Sequence, residues 1–272
     1  MKFFYFNGKI IDQQPLITIQ NRSFRYGDGL FETIKVFRNE IVLSEYHFDR
    51  LFTSLSLLKI PVPVFLSREK LFKDILELCR LNNCQNSARV RMAVFREEEN
   101  NAGVVIEAYP LNEKANALNE DGWLVDIYPH ARKSLDAFAN LKSANYLPYV
   151  MADLYAKENG RDECLVLNCD NKISDASKAN VFLVLQKEVY TPALHQGCIN
   201  GVKRRFVIEE LKKQGVIVHQ QAIDEEMLFE ADEVFLTNAI NDIRWVKSFR
   251  GKTYSNFFTA GLYNKLYAGV YS

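Results

Sequence analysis

Apolar and polar positions alternate through much of the amino-terminal part of the chain, as they do in half-buried β-strands. Two short runs flank Asn7-Gly8, and Asn-Gly is a preferred turn between the strands of a hairpin. A turn at 38–40 indicates a second hairpin, and a charged turn at 97–101 joins two longer runs. Beyond the first hairpin, the alternation predicts strands at 30–37, 88–97 and 102–111. The chain is therefore expected to open with a sheet.

Helical spacing interrupts these strands at two places. Apolar residues recur at every third or fourth position from His47 to Leu58, and a proline ends the segment. A second helix is predicted at 67–82, where the Ser67 hydroxyl can accept a hydrogen bond from a free backbone N–H group. Strands and helices together predict an N-terminal α+β domain over residues 1–112.

The second half of the chain also contains both the alternating pattern of strands and the three-to-four-residue spacing of helices. The stretch 112–121 is polar and has neither period, so it is predicted to connect two domains. A helix is predicted at 146–159, closed by Gly160, and another begins after Gly201. Strands are predicted at 123–129, 163–176, 179–192, 216–223 and 233–239. A C-terminal domain is therefore expected over residues 122–272.

Charge and composition exclude several classes of function. The 34 basic and 34 acidic residues cancel, so no overall field steers the chain toward nucleic acid or an anionic membrane. The five cysteines are odd in number and dispersed, which predicts reduced thiols and no metal site. The amino terminus lacks the apolar core of a signal peptide, and no run is long enough to span a membrane. A cytoplasmic location is the resulting expectation.

Lys142 lies at a predicted strand-to-helix junction, within the segment 141–146. From a fixed backbone, its amine can project into a cleft. A lysine that forms a Schiff base needs such a place, because burial and neighbouring groups must lower its pKa before it attacks an aldehyde. Taken alone, however, the segment is more typical of an ordinary surface lysine.

Six segments that follow one another along the chain change that interpretation. They are 22–36, 47–51, 141–152, 172–184, 197–205 and 230–239. In this order they resemble the signature of the class IV aminotransferase family, which contains branched-chain aminotransferases, D-amino acid aminotransferases and aminodeoxychorismate lyases. Because the resemblance extends along nearly the whole chain, it is far more specific than a single short motif.

The resemblance implies a two-domain α+β enzyme of fold type IV that uses pyridoxal 5'-phosphate (PLP). The implied architecture is an N-terminal α/β sandwich and a C-terminal pseudo-barrel, in a homodimer whose partner contributes loops to each cleft. Lys142 would form a Schiff base with PLP and move the proton at the α-carbon of the substrate. Arg50 would pair with the cofactor phosphate. The other implied phosphate contacts are Gly201, Val202, Lys203, Asn238 and Ala239.

Asp175 departs from the family pattern, which has glutamate at this place. That carboxylate pairs with the pyridinium nitrogen and keeps it protonated, so that the ring can act as an electron sink. Aspartate keeps the charge but is one methylene shorter. Either the backbone or the cofactor shifts, or a water bridges the gap, or electron withdrawal is weaker. We assign the role to Asp175, and the alternative is that Glu163 or another acid fills it.

The residues that would bind the substrate are less well defined by the sequence. Arg96 ends a predicted strand, near the place where some family members present a carboxylate-binding arginine. Arg25 and Tyr26 precede a Gly-Asp-Gly turn and are further candidates for the wall of the cleft. Glu32 is given no role, because half of the residues in an alternating strand face inward.

The function we expect is transfer of an amino group between an amino acid and a 2-oxo acid. The spacing Lys142-x-x-Asn145 and the segment 199–204 resemble the shorter family members. Hence 4-amino-4-deoxychorismate lyase, which releases pyruvate and forms 4-aminobenzoate in folate biosynthesis, stays open as the alternative. A non-catalytic relative is a remote third interpretation, since Lys142, Arg50 and the phosphate turns are all retained. The expected partners are small molecules and a second copy of the chain, with neither nucleic acid nor membrane.

Overall fold

The chain consists of two compact units. The computed structural model describes residues 1–97, 101–267 and 269–270. The first unit contains Met1–Glu113 together with Leu141–Asn145, and the second contains Lys114–Asn140 together with Tyr146–Ser272. The segment that carries Lys142 therefore lies with the first unit, although the predicted C-terminal domain includes it. The domain limits given above stay a prediction.

The first unit is built on an antiparallel sheet. Its strands are β1 (Phe4–Phe6), β2 (Lys9–Ile11), β3 (Gly29–Phe37), β4 (Glu40–Ile41), β5 (Ser87–Arg96) and β6 (Ala102–Pro110). Their order is β2-β1-β6-β5-β3-β4. Asn7 and Gly8 form the first turn with φ values of 43° and 92°, and Arg38 and Asn39 form the turn between β3 and β4 with φ values of 48° and 61°. Both predicted hairpins are confirmed.

The helices described in the first unit are α1 (Arg22–Tyr26), α2 (Ser44–Leu57) and α3 (Arg68–Leu81). Helices α2 and α3 share a core with the sheet, whereas α1 buries none of its residues. The buried stripe of α2 includes Phe48, Leu51 and Leu55, at the spacing that predicted the helix. The Ser67 hydroxyl accepts a hydrogen bond from Lys70 N at 3.2 Å, so the predicted N-cap is confirmed. These side chains belong to the same buried cluster as the inner face of β3, β5 and β6.

The second unit is built on a larger sheet with both parallel and antiparallel pairs. Its strands are β7 (Trp123–Lys133), β8 (Glu163–Asn168), β9 (Ile173–Ala176), β10 (Asn180–Leu185), β11 (Glu188–Pro192), β12 (Val218–Gln221), β13 (Glu233–Asn238), β14 (Asp242–Phe249) and β15 (Lys252–Thr253). The order is β12-β11-β10-β13-β14-β7-β8-β9, and β15 pairs with β14. Strand β7 runs parallel to both of its neighbours, β14 and β8. The carboxyl end of β7 is therefore held beside β8 and close to β9.

The α-helices described in the second unit are α4 (Leu147–Glu158), α5 (Val202–Lys213), α6 (Glu225–Glu230) and α7 (Phe257–Tyr267). Helix α4 has a proline in its first turn, where the missing N–H is not needed, and is followed by Gly160 with φ of 63°. Helix α5 starts after Gly201. Both starts agree with the sequence analysis, and α4 buries Tyr149, Ala152 and Ala156.

Some parts of the structure differ from expectation. The polar stretch predicted as a connection contains a short 3-10 helix at Glu113–Asn116. The same polar stretch is held against β14, because Asn119 Nδ2 donates to Trp245 O and Trp245 N donates to Asn119 Oδ1, both at 3.0 Å. Part of the predicted charged turn, residues 98–100, lies outside the described residues. Throughout the part of the chain that is described, helices are too short or too polar to cross a membrane.

Candidate active site

Lys142 lies in a short extended segment that pairs with the start of β3. Phe31 N donates a hydrogen bond to Lys142 O at 2.9 Å, and Leu30 and Ser143 form an antiparallel bridge. The half-buried side chain places Nζ 4.3 Å from the centroid of the Phe31 ring. Strand β7 ends at Lys133 and α4 begins at Leu147, so the lysine lies between a strand and a helix, as predicted. Its backbone is fixed by hydrogen bonds to β3.

Arg50, on α2, holds the buried carboxylate of Glu32, on β3. Arg50 Nε donates to Glu32 Oε1 at 2.7 Å, and a terminal nitrogen donates to Oε2 at 2.5 Å. His47 Nδ1 lies 2.7 Å from the same Oε2. Burial raises the pKa of Glu32, but the Arg50 guanidinium and His47 outweigh it and lower the pKa to about 2. Glu32 is therefore ionised, and its two-point contact fixes the plane of the guanidinium.

Arg96, a predicted substrate residue, is held within the first unit. Its Nε donates to Asp28 Oδ2 at 3.0 Å. The two terminal nitrogens donate to Lys59 O at 2.8 Å and to Leu58 O at 2.6 Å. These contacts fix the end of β5 to the loop that follows α2. Arg96 thus has a structural function that its sequence position did not indicate.

Arg25 and Tyr26 close the short helix α1. Arg25 Nε donates to Ile19 O at 2.8 Å, and Tyr26 is 61% exposed. Gly27 follows with φ of 68°, and a Cβ there would lie 2.3 Å from Asn145 Oδ1. The turn can therefore approach the Lys142 segment only because residue 27 has no side chain.

Asp175, on β9, is 2% exposed and is surrounded by hydrogen-bond donors. Tyr149 Oη donates to its Oδ2 at 2.7 Å, and Ile199 N donates to the same oxygen at 2.8 Å. Lys133 Nζ lies 3.4 Å from Oδ2, and Asn180 Nδ2 donates to Oδ1 at 2.7 Å. Burial raises the pKa of Asp175, and the Lys133 ammonium is the strongest influence that opposes the rise. A carboxylate has about four acceptor positions, so Oδ1 keeps one for a further donor.

Glu163, the alternative to Asp175, has a different environment. It accepts hydrogen bonds from Ser177 N at 3.1 Å, from the Ser177 hydroxyl and from Cys164 N at 3.2 Å. Burial raises the pKa of Glu163 to about 7. Burial raises the pKa of Asp175 as well, but the Lys133 ammonium lies 3.4 Å from Asp175 Oδ2. An opposite charge at this range favours the ionised form of a carboxyl group, which supports Asp175 as the acid for a ring nitrogen.

The start of α5 has the properties of an anion site. Within the described residues, no side chain caps this helix, so backbone N–H groups of its first turn are available to an anion. A Cβ on Gly201 would lie 1.8 Å from Asn180 Oδ1, so the turn packs tightly against Asn180. Lys203 Nζ is paired with Asp242 Oδ1 at 2.5 Å, and both side chains are buried. The ammonium of Lys203 thus serves Asp242, and Val202 and Lys203 can offer their backbone N–H groups.

The second predicted phosphate turn follows β13. Asn238 Oδ1 accepts hydrogen bonds from Ile240 N at 3.0 Å and from Asn241 N at 2.8 Å, which fixes the turn around Ala239. Thr237 Oγ1 is buried and has no hydrogen-bond partner within the described parts of the chain. A buried hydroxyl in this condition suits a polar ligand atom. The donors of the second unit therefore fit a phosphorylated cofactor.

The predicted cofactor residues are divided between the units. Lys142 and Arg50 belong to the first, and the others belong to the second. Sequence reasoning did not assign roles to Glu32, Lys133, Tyr149 or Asn180. Three of these lie inside the six resembling segments and could have been proposed from them, whereas Lys133 lies outside all six.

Comparison with known proteins places the chain in a family. Residues 29–249 match the family model described as Amino-transferase class IV. A Methanocaldococcus jannaschii protein with the provisional name branched-chain-amino-acid aminotransferase is 29% identical over 266 residues, which cover 93% of this chain and 89% of the relative. The aminodeoxychorismate lyase of Bacillus subtilis is 28% identical over 251 residues, covering 88% of this chain and 84% of the relative.

A solved structure shows the same fold. The branched-chain aminotransferase of the archaeon Thermoproteus uzoniensis, solved with norvaline, has a TM-score of 0.88 at 24% identity, covering 99% of this chain and 94% of that chain. The family resemblance, the α+β architecture of fold type IV and the expectation of an enzyme are thus confirmed. Because the family model spans most of the sequence, the chain is an enzyme that belongs to the class IV aminotransferase family.

Proposed function

We propose that this enzyme binds PLP at Lys142 and transfers an amino group between an amino acid and a 2-oxo acid. The observation that carries the proposal is the fixed backbone of Lys142. Its carbonyl accepts a hydrogen bond from Phe31 N at 2.9 Å, and its side chain is half-buried. A lysine so placed can present its amine in one direction, which both covalent attachment and proton transfer require.

The remaining residues supply binding and charge. When bound, PLP supplies an electron sink for the substrate α-carbon. Arg50, oriented by Glu32, would hold phosphate oxygens, as would the uncapped start of α5 and the turn at Asn238. Asp175 would accept a hydrogen bond from the ring nitrogen through the acceptor position left on Oδ1. Lys142 would then add and remove the proton at the α-carbon.

Aminodeoxychorismate lyase is the second candidate function. The spacing Lys142-x-x-Asn145 resembles the shorter family members, and the Bacillus subtilis relative bears this name at 28% identity. The same lysine would serve both reactions, because each begins with removal of the α-proton. The two candidates differ in what leaves next: a transaminase would release the carbon skeleton as a 2-oxo acid and keep the amino group for the acceptor, whereas the lyase would release pyruvate.

A homodimer located in the cytoplasm is also part of the proposal. On α4, Leu147, Val150, Met151 and Leu154 follow a helical spacing and are between 41% and 69% exposed. A contiguous apolar stripe of this kind is typical of an interface. Light scattering coupled to size-exclusion chromatography would give twice the chain mass, and Leu154→Arg would shift the protein toward the monomer. A monomeric wild type would contradict the dimer.

Product analysis tests the function directly. Purified enzyme with PLP is incubated with a panel of L- and D-amino acids and 2-oxo acids, and separately with 4-amino-4-deoxychorismate. A transaminase moves the amino group to the oxo acid, whereas a lyase releases pyruvate and 4-aminobenzoate. Lys142→Ala should abolish either reaction, and Lys157→Met, which changes an exposed lysine paired with Asp153, should retain it. Equal activity of Lys142→Ala and wild type would contradict the proposal.

A further inference from the structure

Lys133 is a buried lysine that neither the sequence segments nor the proposed reaction uses. It is 9% exposed and is the last residue of β7. Its backbone is fixed, because Cys169 N donates to Lys133 O at 3.1 Å. Its Nζ lies 3.4 Å from Asp175 Oδ2 and 5.2 Å from the centroid of the Tyr149 ring. The ammonium is thus held between an aromatic face and a carboxylate.

We propose that Lys133 is the charge partner that keeps Asp175 ionised and oriented, so that the acid is ready for the ring nitrogen before any cofactor binds. Lys133 is a positioning residue in this account, since it acts through Asp175. The use of Asp175 toward a cofactor rests on the proposed function, whereas the pairing itself does not.

The other groups that contact Asp175 are neutral. They are the hydroxyl of Tyr149, the backbone N–H of Ile199 and the carboxamide of Asn180. Cys198 also interacts with the carboxylate, and burial together with Asp175 raises the pKa of that thiol to about 12. Burial and Asp175 likewise raise the pKa of Tyr149. Among the described residues that contact the carboxylate, Lys133 alone supplies a positive charge.

Neutral donors orient a carboxylate, but a buried anion also needs a compensating charge. Without one, such a group takes up a proton and becomes neutral. Protonated Asp175 would itself be a donor at one oxygen, and it could no longer hold a proton on a ring nitrogen. The Lys133 ammonium opposes this uptake of a proton, because it lowers the pKa of Asp175 against the effect of burial. Asp175, one methylene shorter than the glutamate of the family pattern, is thus paired with Lys133 at the end of β7.

The titration of Asp175 in the full chain without added PLP tests the pairing. Carbonyl NMR of protein labelled with ¹³C-aspartate reports each carboxyl group, and Asp175→Asn identifies the signal. Lys133→Met should raise the titration midpoint of Asp175 by at least about one pH unit, as expected for loss of an opposite charge at this range. Lys133→Arg should leave the midpoint near that of the wild type, and so should Lys157→Met. An unchanged midpoint in Lys133→Met would overturn the proposal, as would equal shifts in the methionine and arginine variants.

A double-mutant cycle gives a second, independent readout. If Lys133 acts through the charge of Asp175, Lys133→Met should destabilise the wild type strongly. In the Asp175→Asn protein, where Lys133 is itself a buried charge without its partner, the same change should be neutral or stabilising. Should Lys133→Met fail to fold, the double variant should fold again, because the uncompensated charge is gone. Additive effects, or a double variant that also fails to fold, would assign Lys133 a packing role and overturn the proposal. Neither measurement uses PLP, so failure of the proposed function would be seen separately.

Discussion

Gly201 lies so close to Asn180 that a Cβ on residue 201 would be 1.8 Å from Asn180 Oδ1. The carboxamide cannot easily move away, because its Nδ2 donates to Asp175 Oδ1 at 2.7 Å and to Ile199 O at 2.8 Å. Strand pairing also sets Asn180 opposite Thr237. One buried side chain therefore connects the acid on β9, the start of α5 and the end of β13.

This contact makes Gly201→Ala an informative substitution. The φ and ψ values of −66° and 133° suit alanine, so any effect comes from the collision with Asn180. We expect a loss of about 1–3 kcal/mol in the free energy of unfolding, together with weaker PLP binding. Chemical denaturation and a PLP titration measure the two effects.

Gly261→Ala is the matched control. Among the described residues, nothing lies within 4 Å of a Cβ at residue 261 in α7, so alanine there should stabilise the helix by up to about 1 kcal/mol. PLP binding should be unchanged in this variant. If Gly201→Ala were as stable as the wild type and bound PLP equally well, the tight packing of Asn180 and Gly201 would be wrong.

Titration of Glu163 should make the free energy of unfolding depend on pH between the ordinary pKa of a glutamate and the raised pKa of this group. Burial raises the pKa of Glu163 from 4.5 to about 7, so the folded protein binds one more proton than the unfolded chain between these values. The corresponding stability is complete below pH 4.5 and is lost as the pH rises to about 7. The difference amounts to about 3 kcal/mol.

Glu163→Gln removes this titration, so its unfolding free energy should decline less than that of the wild type over the same range. Denaturation at a series of pH values measures both curves. Glu158→Gln, an exposed change in the same unit, should follow the wild type. Parallel curves for Glu163→Gln and the wild type would contradict the assignment.

Glu32 should have the opposite effect at acid pH. Burial raises the pKa of Glu32, but Arg50 and His47 prevail and lower it from 4.5 to about 2. The stability gained from ionised Glu32 is therefore complete above pH 4.5 and disappears as the pH falls through 2. About 3 kcal/mol is involved.

Glu32→Gln should lower the free energy of unfolding at neutral pH, because Arg50 keeps its charge without a buried anion beside it. The free energy of unfolding should also fall less steeply at acid pH (the acid limb), because the titration of Glu32 is gone. Acid unfolding followed by circular dichroism measures the limb. Glu45→Gln, whose partner Arg68 is exposed, serves as the control. An acid limb as steep in Glu32→Gln as in the wild type would show that another group dominates acid unfolding.

Local signals explain which parts of the fold were predictable. The hairpin at Asn7-Gly8 and the N-cap at Ser67 depend on a few adjacent residues, and the structure has both. Helices α1 and α6 span five and six residues, too few for a periodic pattern to be read. Strand β14 begins at Asp242 with φ of 56°, which no local rule requires.

The candidate site could be proposed from motifs, but its side-chain contacts could not. Lys142, Arg50 and Asp175 each lie in a segment that resembles the family. The partners Glu32 and Lys133 are separated from Arg50 and Asp175 by 18 and 42 positions. Pairings over such distances depend on how strands and helices pack, so sequence spacing alone does not reveal them. The same limit explains why the contacts of Arg96 were missed.

The proposed function depends above all on Lys142 as the lysine that carries PLP. The most direct test is to incubate the purified chain with PLP, reduce it with borohydride, and map the modified peptide by mass spectrometry. We expect one stoichiometric adduct on Lys142 in the wild type and in Lys157→Met, and no stoichiometric adduct on any lysine in Lys142→Ala. A stoichiometric adduct on another lysine, or no adduct in the wild type, would contradict the claim.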